Sequence, residues 1–176
     1  MSFLNPAKII HSAAIPAGGV VADFGFGSGN FLELLAKEAG KEGKVYAIDI
    51  QKNLVEKISA DFAEKNITNA EFLNVDLEEE NSTKIAENSV DFVLISAVLF
   101  QSNFKEKILA EAVRITKTGG RILLIDWKES FSGIGPEKEQ IFTEDQALMM
   151  FKNFPVDLDR RIESGIYHYA LIYKKN

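Results

Sequence analysis

The order of apolar and polar positions predicts strands and helices in alternation. An apolar run from Val20 to Phe24 predicts a first strand, and apolar positions at helical spacing over 31–39 predict a helix after it. A second apolar run over 44–50, preceded by Gly43, predicts another strand. A strand, a helix and a strand in this order indicate a βαβ unit with a parallel pair of strands.

The alternation continues towards the middle of the chain. The pattern predicts a helix over 54–62, strands over 71–75 and 90–96, a helix over 103–117, and a strand over 121–127 after Gly119-Gly120. Near-continuous apolar strands between amphipathic helices are typical of a parallel sheet that is covered on both faces. The predicted fold class is therefore α/β.

The ends of the chain have a different pattern. Residues 6–15 predict a helix, and we expect the segment 1–16 to lie over the ligand side of the sheet. After a loop over 128–140 and a helix over 143–153, two strands over 156–163 and 166–174 are separated only by Ser164-Gly165. That spacing predicts a hairpin, so the sheet ends antiparallel. Since no linker or repeat divides the chain, we expect residues 1–176 to form a single domain.

Composition narrows the classes of protein. Hydrophobic residues make up 46% and charged residues 26%, as in soluble globular domains. The chain has no cysteine, which excludes cysteine nucleophiles and thiolate metal sites and disfavours thiol-assisted arsenic methylation. No apolar run approaches the roughly 20 residues of a membrane helix, so a cytoplasmic location without membrane insertion is expected. A net charge of −6 makes nucleic-acid binding an unlikely role.

A loop with three alternate glycines follows the first strand directly, at Gly25, Gly27 and Gly29. Glycine allows unusual backbone angles and close approach to a ligand. The helix after the loop starts with unpaired N–H groups, which favour an anionic or strongly polar ligand at this point. The loop therefore predicts a nucleotide-like ligand.

Acidic residues end the first three predicted strands, at Asp23, Asp49 and Asp76. Ligands of open α/β sheets bind at the carboxyl ends of the strands, and Asp49 lies twenty positions beyond Gly29, the spacing of a ribose-binding carboxylate. Asn30 stands where the dinucleotide fingerprint needs its third glycine. Asp23 would repel a pyrophosphate but attract an ammonium group. The pattern favours a cationic amino-acid nucleoside over a dinucleotide.

With these motifs the chain resembles the class I S-adenosylmethionine-dependent methyltransferases, and in particular small stand-alone members of the ubiquinone/menaquinone-biosynthesis-like branch. The resemblance rests on the D-x-G-x-G-x-G pattern over 23–29, the acidic residues Asp49 and Asp76, and the segment 117–127 with Gly119-Gly120. It implies a Rossmann-like three-layer αβα sandwich. The implied seven-stranded, mostly parallel sheet has the order 3-2-1-4-5-7-6 with strand 7 antiparallel.

The resemblance also implies S-adenosyl-L-methionine as cofactor, S-adenosyl-L-homocysteine as product, and no metal. Asp23 would contact the methionyl amino group, Asp49 the ribose and Asp76 the adenine, with Ser96 and Ala97 beside the methionyl end. The complete expected cofactor-binding set is Asp23, Gly25, Phe26, Gly27, Gly29, Asp49, Ile50, Asp76, Leu77 and Ser96.

Methyl transfer depends mainly on positioning, so the sequence assigns no catalytic residue. If a base assists, the candidates are His11, Lys128, Glu129 and His168, and the expected pocket walls are Phe3, Phe100 and Tyr167. Structural explanations are favoured for both histidines, and Asp49 and Asp76 could also serve as helix or turn caps.

The leading hypothesis is a methyltransferase acting on a small-molecule nucleophile. An RNA or protein methyltransferase and a non-catalytic partner subunit that binds the cofactor remain as alternatives. A nicotinamide oxidoreductase is disfavoured by the glycine spacing. Ser96-Ala97-Val98-Leu99 follows the fourth strand in place of an Asn-Pro-Pro-Tyr motif, which disfavours methylation of adenine amines. The sequence does not indicate an oligomeric state.

Overall fold

The computed structural model describes residues 4–131 and 133–176. In this part of the chain seven strands form one sheet. They are β1 Val20–Phe24, β2 Lys44–Asp49, β3 Ala70–Asn74, β4 Val90–Ser96, β5 Thr116–Trp127, β6 Val156–Arg161 and β7 His168–Lys175. Their order is β3-β2-β1-β4-β5-β7-β6, with β7 antiparallel to both of its neighbours and the other pairs parallel. The expected topology is confirmed.

The helices occupy the predicted positions to within a few residues. They are α1 Pro6–Ala13, α2 Leu32–Ala39, α3 Lys52–Glu64, α4 Lys105–Ile115 and α5 Glu144–Phe151, with short 3-10 helices at Leu99–Gln101 and Lys138–Gln140. Asn5 starts α1 by accepting a hydrogen bond from the Lys8 N–H group at 3.1 Å. Thr143 and Gln146 form a capping box at the start of α5. Among the described helices, none has the length and apolar character needed to cross a bilayer.

The sheet separates two hydrophobic clusters. Successive residues of β1 alternate between them, with Phe24 packed on the side of α4 and α5 and Val21 on the side of α1, α2 and α3. Ile122, Leu123, Leu124 and Ile125 of β5 are all fully buried, as expected for a strand that is covered on both faces. This arrangement confirms the three-layer αβα sandwich.

The predicted two-residue hairpin turn is wrong. β6 ends at Arg161 and β7 begins at His168, so residues 162–167 make the connection. The buried hydroxyl of Ser164 donates to the His168 carbonyl oxygen at 3.0 Å, and this side-chain bond closes a wider loop than a β-turn would. The loop places His168 at the first position of β7, opposite Trp127.

The predicted end of the fourth helix is also displaced. The helix ends at Ile115, two residues before the predicted end at Lys117, and the backbone becomes extended at Thr116 and enters β5 directly. The Thr116 hydroxyl donates to the Ala112 carbonyl oxygen at 2.6 Å, which satisfies a carbonyl of the last helical turn. Gly119-Gly120 thus lies within the first, irregular part of β5.

Candidate functional site

A cleft of about 2040 Å³ opens at the carboxyl ends of β1, β2 and β4. β1 lies between β2 and β4, so the cleft is at the point where the strand order reverses, which is the usual ligand site of such sheets. Leu4 and the first residues of α1 line the cleft as well. Sites for single small molecules typically measure about 300–1,000 Å³. The cleft exceeds this volume, and part of it is a groove that runs along α2 to residues 65–69 before β3.

The glycine loop has a left-handed backbone at Gly25, Gly27 and Gly29, with φ of +69°, +52° and +79°. A Cβ on Gly25 would stand 2.6 Å from Cγ2 of Val98, so the loop packs tightly against the segment after β4. A Cβ on Gly27 would meet only the Gly25 carbonyl oxygen, at 3.9 Å. Gly27 also lines the cleft. Its missing side chain therefore leaves space for a ligand against the backbone.

Asp49 connects this loop to the start of α3. Its Oδ2 accepts from the Gly27 N–H group and its Oδ1 from the Gln51 N–H group, both at 2.9 Å. The carboxylate is 5% exposed and lines the cleft. Each oxygen has a second lone-pair position beyond the bond that it already makes. The N-cap of α3 is Gln51, without a side-chain cap bond, so the explanation of Asp49 as the helix cap is wrong: Asp49 closes the turn before the helix and can still accept from ligand hydroxyls.

Asp23 has an unsatisfied buried oxygen. The residue is 1% exposed, and its Oδ2 has no hydrogen-bond partner among the described residues. Burial, together with the negative charge of Asp49, raises the pKa of Asp23 to about 8. Leaving a buried acceptor unpaired costs about 1–3 kcal/mol. An ammonium group in the cleft would satisfy this oxygen and stabilise the carboxylate.

Asp76, the third of the acidic residues, lines the same cleft. Oδ1 of Asp76 accepts from the Glu78 N–H group at 2.8 Å, so this carboxylate caps a turn. Ile50 lines the cleft with 61% of its surface exposed, whereas Leu77 is buried. All members of the expected cofactor-binding set line this one cleft: Asp23, Gly25, Phe26, Gly27, Gly29, Asp49, Ile50, Asp76, Leu77 and Ser96. Their individual contacts with a cofactor stay predictions.

The four candidate bases are not brought together. His11, Lys128 and Glu129 are exposed and do not belong to the cleft lining, whereas His168 does. His168 is 6% exposed, and its ring lies 4.2 Å from that of Trp127. Its Nδ1 has no partner among the described residues. The favoured explanation of His168 as a solvent-facing or hydrogen-bonded strand residue is therefore wrong.

The expected aromatic walls are placed elsewhere. Phe3 lies outside the described residues. Phe100 packs against the hydrophobic cluster on the side of α4, and Tyr167 packs on Phe131 with ring centroids 5.0 Å apart. Trp127, which is not among the predicted pocket walls, lines the cleft instead. The available signal was its position directly after the apolar run of β5, at the carboxyl edge of the sheet.

The turn after β4 also contributes two residues outside the predicted cofactor-binding set, Val98 and Gln101. Ala97 has φ of +54°, which is uncommon for a residue other than glycine and is found at sites where the backbone is held by its surroundings. Its N–H group donates to the Ile125 carbonyl oxygen at 2.9 Å, and its carbonyl oxygen accepts from the Gln101 side chain at 3.1 Å. These two bonds fix the turn beside the glycine loop.

A second buried carboxylate, Asp126, holds the end of the same turn through a hydrogen bond from Phe100. It is fully buried near the end of β5 and accepts from the N–H groups of Trp127 at 2.9 Å and Phe100 at 3.2 Å. Burial raises its pKa to about 7, although these backbone donors act in the opposite direction. The sequence signal for it was a lone acidic residue at the end of an apolar strand.

Raising the pH from about 6.5 to 8 is expected to lower the free energy of unfolding of the ligand-free protein by about 2 kcal/mol. Asp23 and Asp126 have folded-state pKa values above those of an unfolded chain, so the folded state binds their protons more tightly. The resulting stability is lost as the pH rises towards those values. Urea unfolding at both pH values measures the change.

The measurement starts at about pH 6.5 because at lower pH the protonation of His168 changes the free energy of unfolding in the opposite direction. Burial lowers its pKa from the ordinary value of 6.5, so its contribution has the opposite sign and lies mainly below pH 6.5, with a small remainder inside the window. The variant Asp126→Asn should show a smaller loss of stability than the unchanged protein. A free energy of unfolding that stays constant or rises from pH 6.5 to 8 would contradict the prediction.

The fold and the site together define an α/β domain that binds an adenosyl amino acid at the carboxyl edge of its sheet. The profile of the methyltransferase domain family matches residues 15–171. The chain belongs to this family, in the class I S-adenosylmethionine-dependent group, which confirms the expected class and its cofactor.

A solved structure and two curated proteins are similar to the chain. A SAM dependent methyltransferase from Aquifex aeolicus matches with a TM-score of 0.87 and 26% identity, over 97% of this chain and 89% of that one. The ubiquinone/menaquinone biosynthesis C-methyltransferase of Hydrogenovibrio crunogenus is 31% identical over 68% of this chain and 46% of its own length. An arsenite methyltransferase of Halobacterium salinarum is 29% identical over 65% of this chain and 28% of its own length. The chain thus spans less than half the length of these two curated relatives.

Proposed function

We propose that the protein transfers the methyl group of S-adenosylmethionine to a small-molecule nucleophile. The observation that carries the proposal is the unpartnered Oδ2 of Asp23, buried beside the glycine loop and next to Asp49. A cofactor with an ammonium group and a ribose presents a partner for each of these carboxylates. A dinucleotide would instead place a pyrophosphate against them.

The residues of the cleft fit the cofactor from end to end. Asp23 would hold the ammonium group, and Asp49 the ribose hydroxyls. Asp76 would accept from the adenine amino group, with Ile50 and Leu77 against the ring. Gly27 leaves room for the cofactor to lie on the loop backbone. When bound, S-adenosylmethionine supplies a methyl group activated by the sulfonium charge.

The protein itself contributes position and exclusion of water. Holding two reactants in line can supply roughly 7–11 kcal/mol of the barrier reduction. Ser96 and the fixed turn at Ala97 border the cleft at the end of β4, between the glycine loop and Trp127. This region is where we place the methyl acceptor.

Two observations favour a small acceptor that is methylated at carbon, oxygen, nitrogen or sulfur. The net charge of −6 gives no general attraction to a phosphate backbone. The chain has no cysteine and so offers no thiolate, the soft ligand that a metalloid such as arsenic prefers. An acceptor of the type that the arsenite methyltransferase's name implies is therefore disfavoured for this chain.

Thermal unfolding with added ligand tests the cofactor part of the proposal. At about 100 times its dissociation constant, S-adenosylhomocysteine or S-adenosylmethionine should stabilise the protein by about 2.7 kcal/mol, whereas NAD should leave it unchanged. Absence of a shift with both adenosyl ligands would overturn the proposal. Transfer of labelled methyl into a metabolite extract, compared with an RNA fraction and a protein fraction, then distinguishes the acceptor classes. Binding without transfer to any fraction would favour the non-catalytic partner subunit.

A further inference from the structure

The two ends of the cleft differ in charge. Its carboxylates and lysines come from β1, α2, β2 and the connections that follow α2, α3 and β3; they are Asp23, Glu33, Lys37, Lys41, Asp49, Lys65, Asp76 and Glu78. The lining from the end of β4, from β5 and from β7 contains no carboxylate and no lysine among the described residues. The side chains that line this second end carry no charge themselves, and the nearest charge shown there is the Glu78 carboxylate that accepts from Ser102 at 2.6 Å, so the lining fits a neutral molecule better than an anion.

The second end has one ring pair and one titratable group. Trp127 and His168 face each other across the β5–β7 pair, with ring centroids 4.2 Å apart and planes tilted by 40°. A Cβ on Gly135 would stand 2.8 Å from the Trp127 ring, so the loop after β5 packs on the indole and holds it in place. Together these contacts fix the ring pair, and the part of the half-buried Trp127 that still lines the cleft offers an aromatic contact to a flat ring.

His168 has no hydrogen bond to either ring nitrogen within the described part of the chain. Nδ1 is buried without a partner, and the residue reaches the cleft with only 6% of its surface exposed. The tautomer of a histidine is fixed by the hydrogen bond that its other nitrogen makes, and here nothing fixes it. Nε2, unlike Nδ1, is not fully buried, so it is the ring nitrogen that a ligand hydroxyl in the cleft can reach.

We propose that His168 is a catalytic residue that accepts the proton of a neutral aromatic hydroxyl held against Trp127. This inference rests on the proposed function. Burial lowers the pKa of His168, which keeps the imidazole neutral and able to accept a proton at neutral pH. An aromatic hydroxyl has a pKa near 10, close enough for imidazole to assist, whereas an aliphatic alcohol is a far weaker acid.

The proposed methyl transfer needs only the acceptor hydroxyl, the cofactor and His168. The hydroxyl oxygen of the acceptor forms a bond to the methyl carbon while the bond from that carbon to the sulfonium sulfur breaks, and the electron pair of the broken bond stays on sulfur. The acceptor's proton passes to Nε2 of His168 and is then released to water. The products are an aryl methyl ether, a neutral thioether and one proton.

NMR of the full chain with isotope-labelled histidine tests the inference, because the chain has only two histidines. The protein is first saturated with S-adenosylhomocysteine, and 4-methylphenol is then titrated in. The imidazole signal of His168 should shift, and that of His11, exposed on α1, should not. 4-Methylanisole lacks the hydroxyl and should bind about tenfold more weakly, the equivalent of one lost hydrogen bond.

Two variants separate a direct role from a structural one. His168→Asn and His168→Phe should each weaken 4-methylphenol binding by about tenfold and leave the dissociation constant of S-adenosylhomocysteine within about twofold. The phenylalanine variant keeps a ring against Trp127, so a shared loss points to the lost nitrogen. His11→Asn is the matched control and should change neither affinity.

Failure of the proposed function and failure of the inference about His168 give different results. If S-adenosylhomocysteine does not bind, the proposed function itself is wrong. If it binds and 4-methylphenol leaves the His168 signal unchanged, or binds both His168 variants as tightly as the unchanged protein, the inference about His168 is overturned and the proposed function stands.

Discussion

Asp49→Ala is expected to weaken the binding of S-adenosylhomocysteine by about 100-fold or more. The substitution removes an acceptor for the two ribose hydroxyls, and hydrogen bonds to a charged group contribute about 1.5–3 kcal/mol each. It also removes the oxygens that hold the N–H groups of Gly27 and Gln51, so the glycine loop loses its support. Isothermal titration calorimetry of the ligand with both proteins measures the change.

Two controls keep this result interpretable. Asp157→Ala removes an exposed carboxylate on β6 and should bind the ligand as the unchanged protein does. Urea unfolding of Asp49→Ala shows how much of the variant is folded at the titration temperature. Equal affinity in a folded Asp49→Ala variant would mean that Asp49 is only the cap of its turn.

Gly27→Ala should weaken the binding of S-adenosylhomocysteine by about 10- to 100-fold. The new Cβ meets almost nothing in the ligand-free protein, because its single neighbour is a backbone oxygen at 3.9 Å. It projects into the cleft where the cofactor is proposed to lie. Overlap with a packed methyl group costs about 1–3 kcal/mol, which corresponds to that loss of affinity.

Gly119→Ala is the matched control for Gly27→Ala. Gly119 also has a left-handed backbone, with φ of +78°, and a Cβ there would have nothing within 4 Å. It is exposed and lies outside the cleft lining. Both alanines should cost about 1–2 kcal/mol of stability through backbone strain, measured by urea unfolding. Only Gly27→Ala should bind S-adenosylhomocysteine more weakly. Equal affinity of both variants would mean that the ligand does not lie against Gly27.

The cofactor side of the site could be predicted from sequence because its chemistry follows the strand ends directly. Asp23 and Asp49 each end an apolar run, and a parallel sheet brings the carboxyl ends of such runs to one edge. The spacing of the glycines needed no tertiary information either, since it reflects the angles of a single turn. Local pattern and the order of elements were sufficient for this half of the cleft.

The acceptor side could not be predicted in the same way. His168 belongs to the antiparallel strand β7, and its place opposite Trp127 depends on the six-residue connection that Ser164 stabilises. Phe100 and Tyr167 had the aromatic character of a pocket wall but pack elsewhere. Pairing across distant strands decides such contacts, and composition cannot show it.

The sequence by itself thus determined the α/β class, the sheet order through its family pattern, and the residues gathered around the glycine loop. Those features depend on periodicity, turn chemistry and the direction of parallel strands, which are local properties of the chain. Only the tertiary structure decided that Oδ2 of Asp23 is unpartnered, that Ala97 is held with a positive φ, and that His168 reaches the cleft. Burial and hydrogen-bond satisfaction are properties of the packed whole, because each depends on neighbours that are far apart in sequence.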